Sequence, residues 1–357
     1  MDPLKNLFVL GLNAIRKYKN TNLHVDRITL LPVIIQYIFQ FNFMRRRNFL
    51  QKGLTAGSAA LFASATSAHP AQLTVDIPKK LEKYAGKPFH LNYGIHDGMF
   101  KNNAGNDFID QIQFAYDTGF RAIEDNGMMD RPADQQEKIG NALARLGMSM
   151  GVFVHGFDHW PVSTSLCSGD KTWQEKFLQY TRMAVDVAKR CNGKLITVVP
   201  GNYDRSLPMG YQTAHVIDSL RRAAEILEPH NLVMVLEPLS DTPDLFLRHP
   251  DQTFAICKAV NSSSCKILFD MYHMQRNEGD LIVNIDRAWE EIAYFQIGDN
   301  PGRKEPTTGE MNYKNIFKHI YDKGYKGVLG MEHGIAHSGK EGEIALIAAY
   351  RDCDDFA

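Results

Sequence analysis

Four short apolar segments in the second half of the chain each end in a polar side chain. The side chains are Glu237, Asp270, Gln296 and Glu332. An unpaired buried carboxylate costs several kcal/mol or takes up a proton, so this repeated placement needs a compensating charge, which a shared divalent metal ion supplies. The spacings of 33, 26 and 36 residues each accommodate one strand and one helix, which would bring the four groups together on one face of a parallel barrel.

The rest of the chain from about Phe89 repeats the same plan, an apolar run followed by a helical stretch. Eight runs are predicted as strands: 89–95, 122–125, 148–155, 195–199, 232–237, 266–270, 292–297 and 327–332. Between them, stretches such as Trp173–Arg190, Ala214–Leu227 and Tyr313–Lys323 carry apolar residues at the three-to-four spacing of amphipathic helices. Alternating strands and helices indicate right-handed crossovers, and eight such units predict an α/β fold, the (β/α)8 TIM barrel. A doubly wound open sheet is the alternative, and it would need a Gly-rich phosphate turn that the sequence lacks.

A segment at residues 44–68 has the layout of an export signal. Met44 is followed by three arginines, then by small and apolar residues, and small-residue cleavage sites end at Ala65 or Ala68. The Arg46-Arg47 pair resembles the twin-arginine signal, so we expect an exported, periplasmic or otherwise extracytoplasmic protein. A chance basic cluster is the alternative.

The expected domain organisation follows from that signal. Residues 1–43 are interpreted as a gene-start artefact or disordered extension, 44–68 as the signal peptide, 69–86 as a linker and 87–357 as the catalytic barrel. The apolar run Leu30–Phe41 is too short to span a bilayer and is interrupted by polar residues and a proline, so no stable membrane anchor is expected.

Charge and cysteine content narrow the function. Residues 1–68 hold nine of the 40 Lys and Arg and two of the 41 Asp and Glu, which leaves 31 basic and 39 acidic residues, a formal net charge of −8. Such an acidic body argues against a nucleic-acid partner and favours a small-molecule substrate. The five cysteines show no Cys-x-x-Cys spacing, so neither a disulfide framework nor a zinc site is predicted, although one pair could oxidise after export.

The four strand-end groups form an all-oxygen set, if the Gln296 amide binds through its carbonyl. Hard oxygen ligands favour one Mg²⁺ or Mn²⁺ ion over zinc, whereas any one of the four by itself is equally explained as a helix cap or rim salt bridge. His273 and Arg303 follow two of these strand ends and are predicted to bind substrate, the guanidinium by paired hydrogen bonds to a carboxylate. His155, at the end of the third strand, is predicted as a further substrate-binding residue in the pocket, with a purely structural role as the alternative. For Glu124, at the end of the second strand, a place in the pocket wall and a purely structural role both remain open.

Two longer segments carry a family resemblance. Leu268–Ile282 and Phe295–Tyr313 closely resemble hydroxypyruvate isomerases, which belong to the xylose isomerase-like barrel superfamily. The resemblance implies that Glu237, Asp270, Gln296 and Glu332 are the metal ligands, that Glu237 and Glu332 also transfer the proton, and that His273 and Arg303 contact substrate oxygens. Related ketose 3-epimerases have a metal-binding histidine where this chain has Gln296, which favours the isomerase branch.

The expected activity is therefore a metal-dependent aldose–ketose isomerisation, of the kind that interconverts hydroxypyruvate and tartronate semialdehyde. A ketose 3-epimerase or another sugar isomerase is the nearest alternative. A non-catalytic exported sugar-binding barrel is a second, and a phosphodiesterase of the apurinic endonuclease type, which needs histidines around zinc ions and a basic groove, is a third. The sequence leaves open whether the barrels pair into a homo-oligomer.

Overall fold

The computed structural model describes residues 79–155 and 166–356. Within them the strands are β1 (Asn92–Ile95), β2 (Ala122–Ile123), β3 (Ser149–Met150), β4 (Val152–Val154), β5 (Leu195–Val198), β6 (Val233–Leu236), β7 (Cys265–Asp270), β8 (Ile292–Gln296) and β9 (Val328–Gly330). The helices are α1 (Lys101–Ala104), α2 (Phe108–Asp117), α3 (Ala133–Leu146), α4 (Lys171–Cys191), α5 (Met209–Leu227), α6 (Pro250–Val260), α7 (Met271–Asn277), α8 (Leu281–Ala288), α9 (Tyr313–Asp322) and α10 (Gly339–Cys353). Short 3-10 helices cover Lys79–Tyr84, Met128–Asp130, Leu166–Ser168, Glu228–His230 and Trp289–Glu291.

The strands form one parallel sheet in the order β3-β2-β1-β9-β8-β7-β6-β5-β4. The two strands at the ends of that order, β3 and β4, are separated in sequence by Gly151 alone, so the covalent chain completes the ring. They are the two halves of the predicted strand 148–155: β3 pairs with β2, and β4 pairs with β5. The predicted TIM barrel is therefore confirmed, and the open-sheet alternative is wrong.

Helix ends follow from local residue chemistry. The Asp107 side chain accepts from the backbone N–H of Ile109 at the start of α2, and Asp170 accepts from the N–H of Thr172 at the start of α4. Such N-caps satisfy backbone donors that a first helical turn leaves unpaired. The predicted helices Trp173–Arg190, Ala214–Leu227 and Tyr313–Lys323 correspond to α4, α5 and α9.

The apolar side chains of the described residues form two separate cores. The larger core lies between the strands and the surrounding helices and includes Phe153, Phe269 and Phe295. The smaller core consists of Ala122, Val152, Val235, Leu268, Tyr294 and Val328, which come from six different strands. Because side chains alternate along a strand, this second set fills the barrel interior.

The export signal and most of the linker lie outside the described residues, since the description begins at Lys79. The last residues of the predicted linker form the 3-10 helix Lys79–Tyr84, whose Leu81 is buried in the larger core. Among the described residues, none of the helices is both long and apolar enough to cross a membrane.

Candidate metal and substrate site

The candidate site is the next inward layer above the barrel core. Side chains alternate along a strand, so the residue two positions after each core side chain again points into the barrel, nearer to its C-terminal end. The inward positions after Val235, Leu268 and Tyr294 are therefore occupied by Glu237, Asp270 and Gln296. The inward position after Ala122 is occupied by Glu124. At the corresponding position of β9 the residue is Gly330, and Glu332 follows one layer higher.

The structure brings the four predicted ligands together. The Oε1 position of Gln296 lies 3.2 Å from Glu237 Oε1 and 3.3 Å from Glu332 Oε2. Asp270 belongs to the same group, because Glu237, Asp270 and His273 offer donor atoms that all lie within 4.8 Å of one another. Glu237, Asp270 and Gln296 are buried, whereas 27% of the Glu332 side chain is exposed. Their role as ligands stays a prediction, but their convergence is a feature of the fold.

Burial and mutual repulsion make the carboxyl groups of Glu237 and Glu332 difficult to ionise without a compensating cation. Burial, and then the charges of Glu332 and Asp270, raise the pKa of Glu237 well above its ordinary value. Burial raises the pKa of Glu332 to about 7, although the positive charge of Arg303 lowers it. These are the electrostatics of a site that needs additional positive charge.

Arg303 supplies one positive charge to this cluster. Its Nη2 atom lies 2.7 Å from Glu332 Oε2 and 3.2 Å from Asp270 Oδ2, and its Nε donates to the backbone oxygen of Glu332. Burial disfavours the guanidinium, but the carboxylates of Asp270, Glu332 and Glu237 more than offset this effect, so the pKa of Arg303 is raised. The residue predicted to bind a substrate carboxylate therefore binds two of the protein's own carboxylates.

His273 presents a hydrogen-bond donor to the cavity. The backbone N–H and the hydroxyl oxygen of Ser240 lie 3.2 and 2.8 Å from its Nδ1. Because a backbone N–H can only donate, Nδ1 is the acceptor and the neutral ring carries its hydrogen on Nε2. That Nε2 is buried, lies 3.5 Å from Asp270 Oδ2, and has no hydrogen-bond partner among the described residues. A protonated nitrogen cannot ligate a metal, so this geometry favours contact with a substrate oxygen, as the sequence predicts.

The cavity beside the cluster has a volume of about 450 Å³, within the usual range for small-molecule sites. His155, Thr197, Asp241 and His273 line its polar part, and Phe177 and Leu239 belong to its apolar wall. His155 is held by Thr181, whose hydroxyl lies 2.9 Å from Nε2, and burial lowers the pKa of His155 to about 3. The predicted substrate residue His155 therefore lines the cavity in its neutral form.

Several residues of the site were not singled out by the sequence. Asn126 donates to Glu332 Oε1 at 2.8 Å, Asp241 lines the cavity, and Tyr294 donates to Glu124 Oε2 at 3.0 Å. Asn126 directly follows a predicted strand end, and Tyr294 lies two residues before Gln296 on the same inward face, so strand alternation could have identified both. Asp241 carries no comparable signal, since it lies in a loop.

The donor set fits a hard divalent cation. In the orientation described, the Gln296 carbonyl oxygen faces two carboxylate oxygens and no hydrogen-bond donor. Such a contact is unfavourable for an amide, unless a cation lies among the oxygens or the amide turns over. Oxygen atoms from one amide and three carboxylates are the ligands that Mg²⁺ and Mn²⁺ prefer.

Comparison with known proteins agrees with the fold. The chain belongs to the xylose isomerase-like TIM barrel family, whose model matches residues 112–351. It is 28% identical over 230 residues to hydroxypyruvate isomerase from Escherichia coli (strain K12), which covers 64% of this chain and 88% of the relative. It is 27% identical over 228 residues to 2-oxo-tetronate isomerase from Cupriavidus necator, covering 63% of this chain and 86% of that relative.

A solved structure gives the same fold. The AP endonuclease, family 2, from Brucella melitensis aligns with a TM-score of 0.64 at 23% identity, covering 73% of this chain and 99% of that chain. At this level of identity the likeness shows a shared barrel and carries no information about the reaction.

Proposed function

We propose that this protein is a metal-dependent isomerase that moves a carbonyl group between adjacent carbons of a small hydroxy-carbonyl compound, hydroxypyruvate being the reference substrate. The observation that supports the proposal is the convergence of Glu237, Asp270, Gln296 and Glu332, with oxygens of Glu237 and Glu332 each within 3.3 Å of the same Gln296 atom. The similarity to two isomerases that act on such compounds agrees with it.

Two of the four residues are suited to move the proton. The reaction removes a proton from one carbon and returns it to its neighbour, so a base and an acid must face the same pair of carbons. Glu237 and Glu332 approach Gln296 from the ends of different strands, and burial raises the pKa of both carboxyl groups, so each takes up a proton more readily than an exposed glutamate. We assign abstraction and return of the proton to this pair.

The remaining groups hold and polarise the substrate. A divalent cation held by the four oxygen ligands would act as a Lewis acid that stabilises the negative charge developing on the substrate oxygens. His273 Nε2–H is placed to donate to one of those oxygens, because its ring orientation is set by Ser240. Arg303 reaches the same region, and since its hydrogen bonds within the described residues use Nη2 and Nε, its Nη1 can donate to a further substrate oxygen.

The proposal can be tested by proton exchange. Purified protein with Mg²⁺ or Mn²⁺ is incubated in deuterated water with hydroxypyruvate, tartronate semialdehyde and common ketoses, and deuterium incorporation at carbon is followed by NMR. Glu237→Gln and Glu332→Gln should retain the fold, as judged by circular dichroism, and lower the rate by roughly 10²- to 10⁴-fold. Glu310→Gln is the matched control, since Glu310 is exposed in the loop after β8. Rates like wild type in both active-site variants would remove the assigned roles.

A ketose isomerase or epimerase is the second candidate, and the size of the cavity favours it. A volume of about 450 Å³ lies in the range of sites that hold drug-sized molecules, so a three-carbon keto acid would fill only part of it. Thr197 and Asp241 line this cavity as further polar residues, and a longer polyhydroxy substrate would extend towards them. Faster exchange with four- to six-carbon ketoses than with hydroxypyruvate would select this candidate.

A further inference from the structure

Two glycines make room for a pair of polar side chains beneath the four-oxygen cluster. Glu124, which follows β2, accepts a hydrogen bond at Oε2 from the Tyr294 hydroxyl of β8, at 3.0 Å. A Cβ atom on Gly330 would lie 1.8 Å from that Oε2, and a Cβ atom on Gly151 would lie 2.5 Å from Tyr294 Oη. Any larger residue at either position would displace the pair, so the barrel interior is shaped around it.

The Glu124–Tyr294 pair contacts a predicted metal ligand. Nε2 of Gln296 donates to the same Oε2 of Glu124, at 3.4 Å. The Tyr294 hydroxyl has a single hydrogen, which it donates to Glu124, so Oε2 of Glu124 is an acceptor in this pair. An acceptor at this place binds the NH₂ group of Gln296 and directs the carbonyl oxygen of the amide to the opposite side.

The carboxylates above favour the reverse orientation. If the amide turned over, its NH₂ group would donate to Glu237 Oε1 at 3.2 Å and to Glu332 Oε2 at 3.3 Å. That orientation satisfies both carboxylates, but it places N–H hydrogens where a cation requires an oxygen. The amide of Gln296 is thus subject to two opposing sets of hydrogen bonds, and Glu124 belongs to the set that keeps the oxygen upward.

We propose that Glu124, held by Tyr294, is a positioning residue that keeps the carbonyl oxygen of Gln296 facing Glu237 and Glu332, and thereby makes this glutamine a ligand for a divalent cation. This inference rests on the metal-dependent function proposed above. Glu124 itself lies below the amide and acts through Gln296.

The direct test is the affinity for Mn²⁺, measured with the full-length protein by electron paramagnetic resonance of the free ion. Glu124→Leu removes the acceptor at similar size, and the affinity should fall by roughly 10- to 100-fold, the usual effect of losing a partner that orients a metal ligand. Tyr294→Phe keeps the ring and removes the donor that fixes the acceptor, so a smaller fall is expected. Thermal unfolding checks that each variant is folded.

A double-mutant cycle distinguishes loss of the Gln296 amide orientation from a general loss of packing in the site. In Gln296→Glu both terminal atoms of the side chain are oxygens, so no orientation has to be selected. Adding Glu124→Leu to this background should cause no loss of Mn²⁺ affinity, whereas a merely structural role would cause the same loss in both backgrounds. If Glu124→Leu does not fold, the same cycle with Tyr294→Phe decides.

The outcomes also distinguish the two proposals. A wild-type protein that binds no Mn²⁺ overturns the metal-dependent function and this inference together. A wild-type protein that binds Mn²⁺, combined with Glu124→Leu and Tyr294→Phe variants of unchanged affinity, overturns the positioning role alone. Equal losses in the wild-type and Gln296→Glu backgrounds overturn it as well.

Discussion

Burial of His155 should make the stability of the protein depend on pH in a predictable way. The ring follows β4, is 2% exposed, and lies against Phe177 with ring centroids 4.6 Å apart. Its Nε2 donates to the Thr181 hydroxyl, because that hydroxyl uses its own hydrogen for the backbone oxygen of Phe177. Burial lowers the pKa of His155 from its ordinary value of 6.5 to about 3, so the folded protein keeps this ring neutral.

The sign and magnitude follow from proton linkage. Between pH 6.5 and pH 3 the unfolded chain binds a proton at His155 that the folded chain does not bind, so stability is present above pH 6.5 and is lost as the pH falls. At pH 5, this one group should lower the free energy of unfolding by about 2 kcal/mol relative to neutral pH.

The measurement is urea unfolding at pH 7.5 and pH 5, with a chelator present so that metal binding does not contribute. His155→Gln retains an N–H donor for Thr181 but cannot titrate. Between the two pH values it should lose about 2 kcal/mol less stability than the wild type. His230→Gln is the control, since His230 is exposed after α5, and it should follow the wild type. An equal loss in wild type and His155→Gln would show that His155 is protonated in the folded state, and the argument from burial would be refuted.

Three further outcomes are expected. Gly330→Ala should destabilise the protein by roughly 1–3 kcal/mol through overpacking against Glu124, whereas Gly210→Ala, in open space on α5, should be neutral or stabilising in the same thermal unfolding assay. Arg303→Met should lower the stability of chelator-treated protein by about 1–3 kcal/mol, less than for a fully buried pair because 30% of the side chain is exposed, and Mn²⁺ should restore part of the loss. Mn²⁺ at about 100 times its dissociation constant should raise the free energy of unfolding by about 2.7 kcal/mol, and unchanged unfolding would contradict metal binding.

The convergence of the four polar side chains could be predicted from sequence because the information is local. Where a run of apolar residues is followed by a carboxylate at the last inward position, as in β6 and β7, this pattern predicts both the strand and the point where it ends. The barrel then brings such ends together whichever strands supply them. Glu237, Asp270 and Gln296 each lie two residues beyond a side chain of the barrel core, so alternation alone places them.

Other features depend on which strands are neighbours, and a single strand does not contain that information. The predicted strand 148–155 is divided at Gly151, because the barrel closes there and the two halves pair with different partners. For Glu124 the sequence left two roles open. Its position under Gln296 depends on space provided by Gly330 of β9, which is more than 200 residues away in the chain.

The charges of the site bear on the choice of substrate. Glu237, Asp270 and Glu332 supply up to three negative charges and Arg303 supplies one positive charge, so one divalent cation would bring the cluster to neutrality. A substrate carboxylate would then meet no excess of positive charge in the cluster, and its charge contact would be with Arg303, whose two carboxylate contacts both use Nη2. A neutral ketose requires no such charge contact. Salt should therefore raise the KM of a keto acid, which depends on a charge contact, and leave the KM of a neutral ketose nearly unchanged.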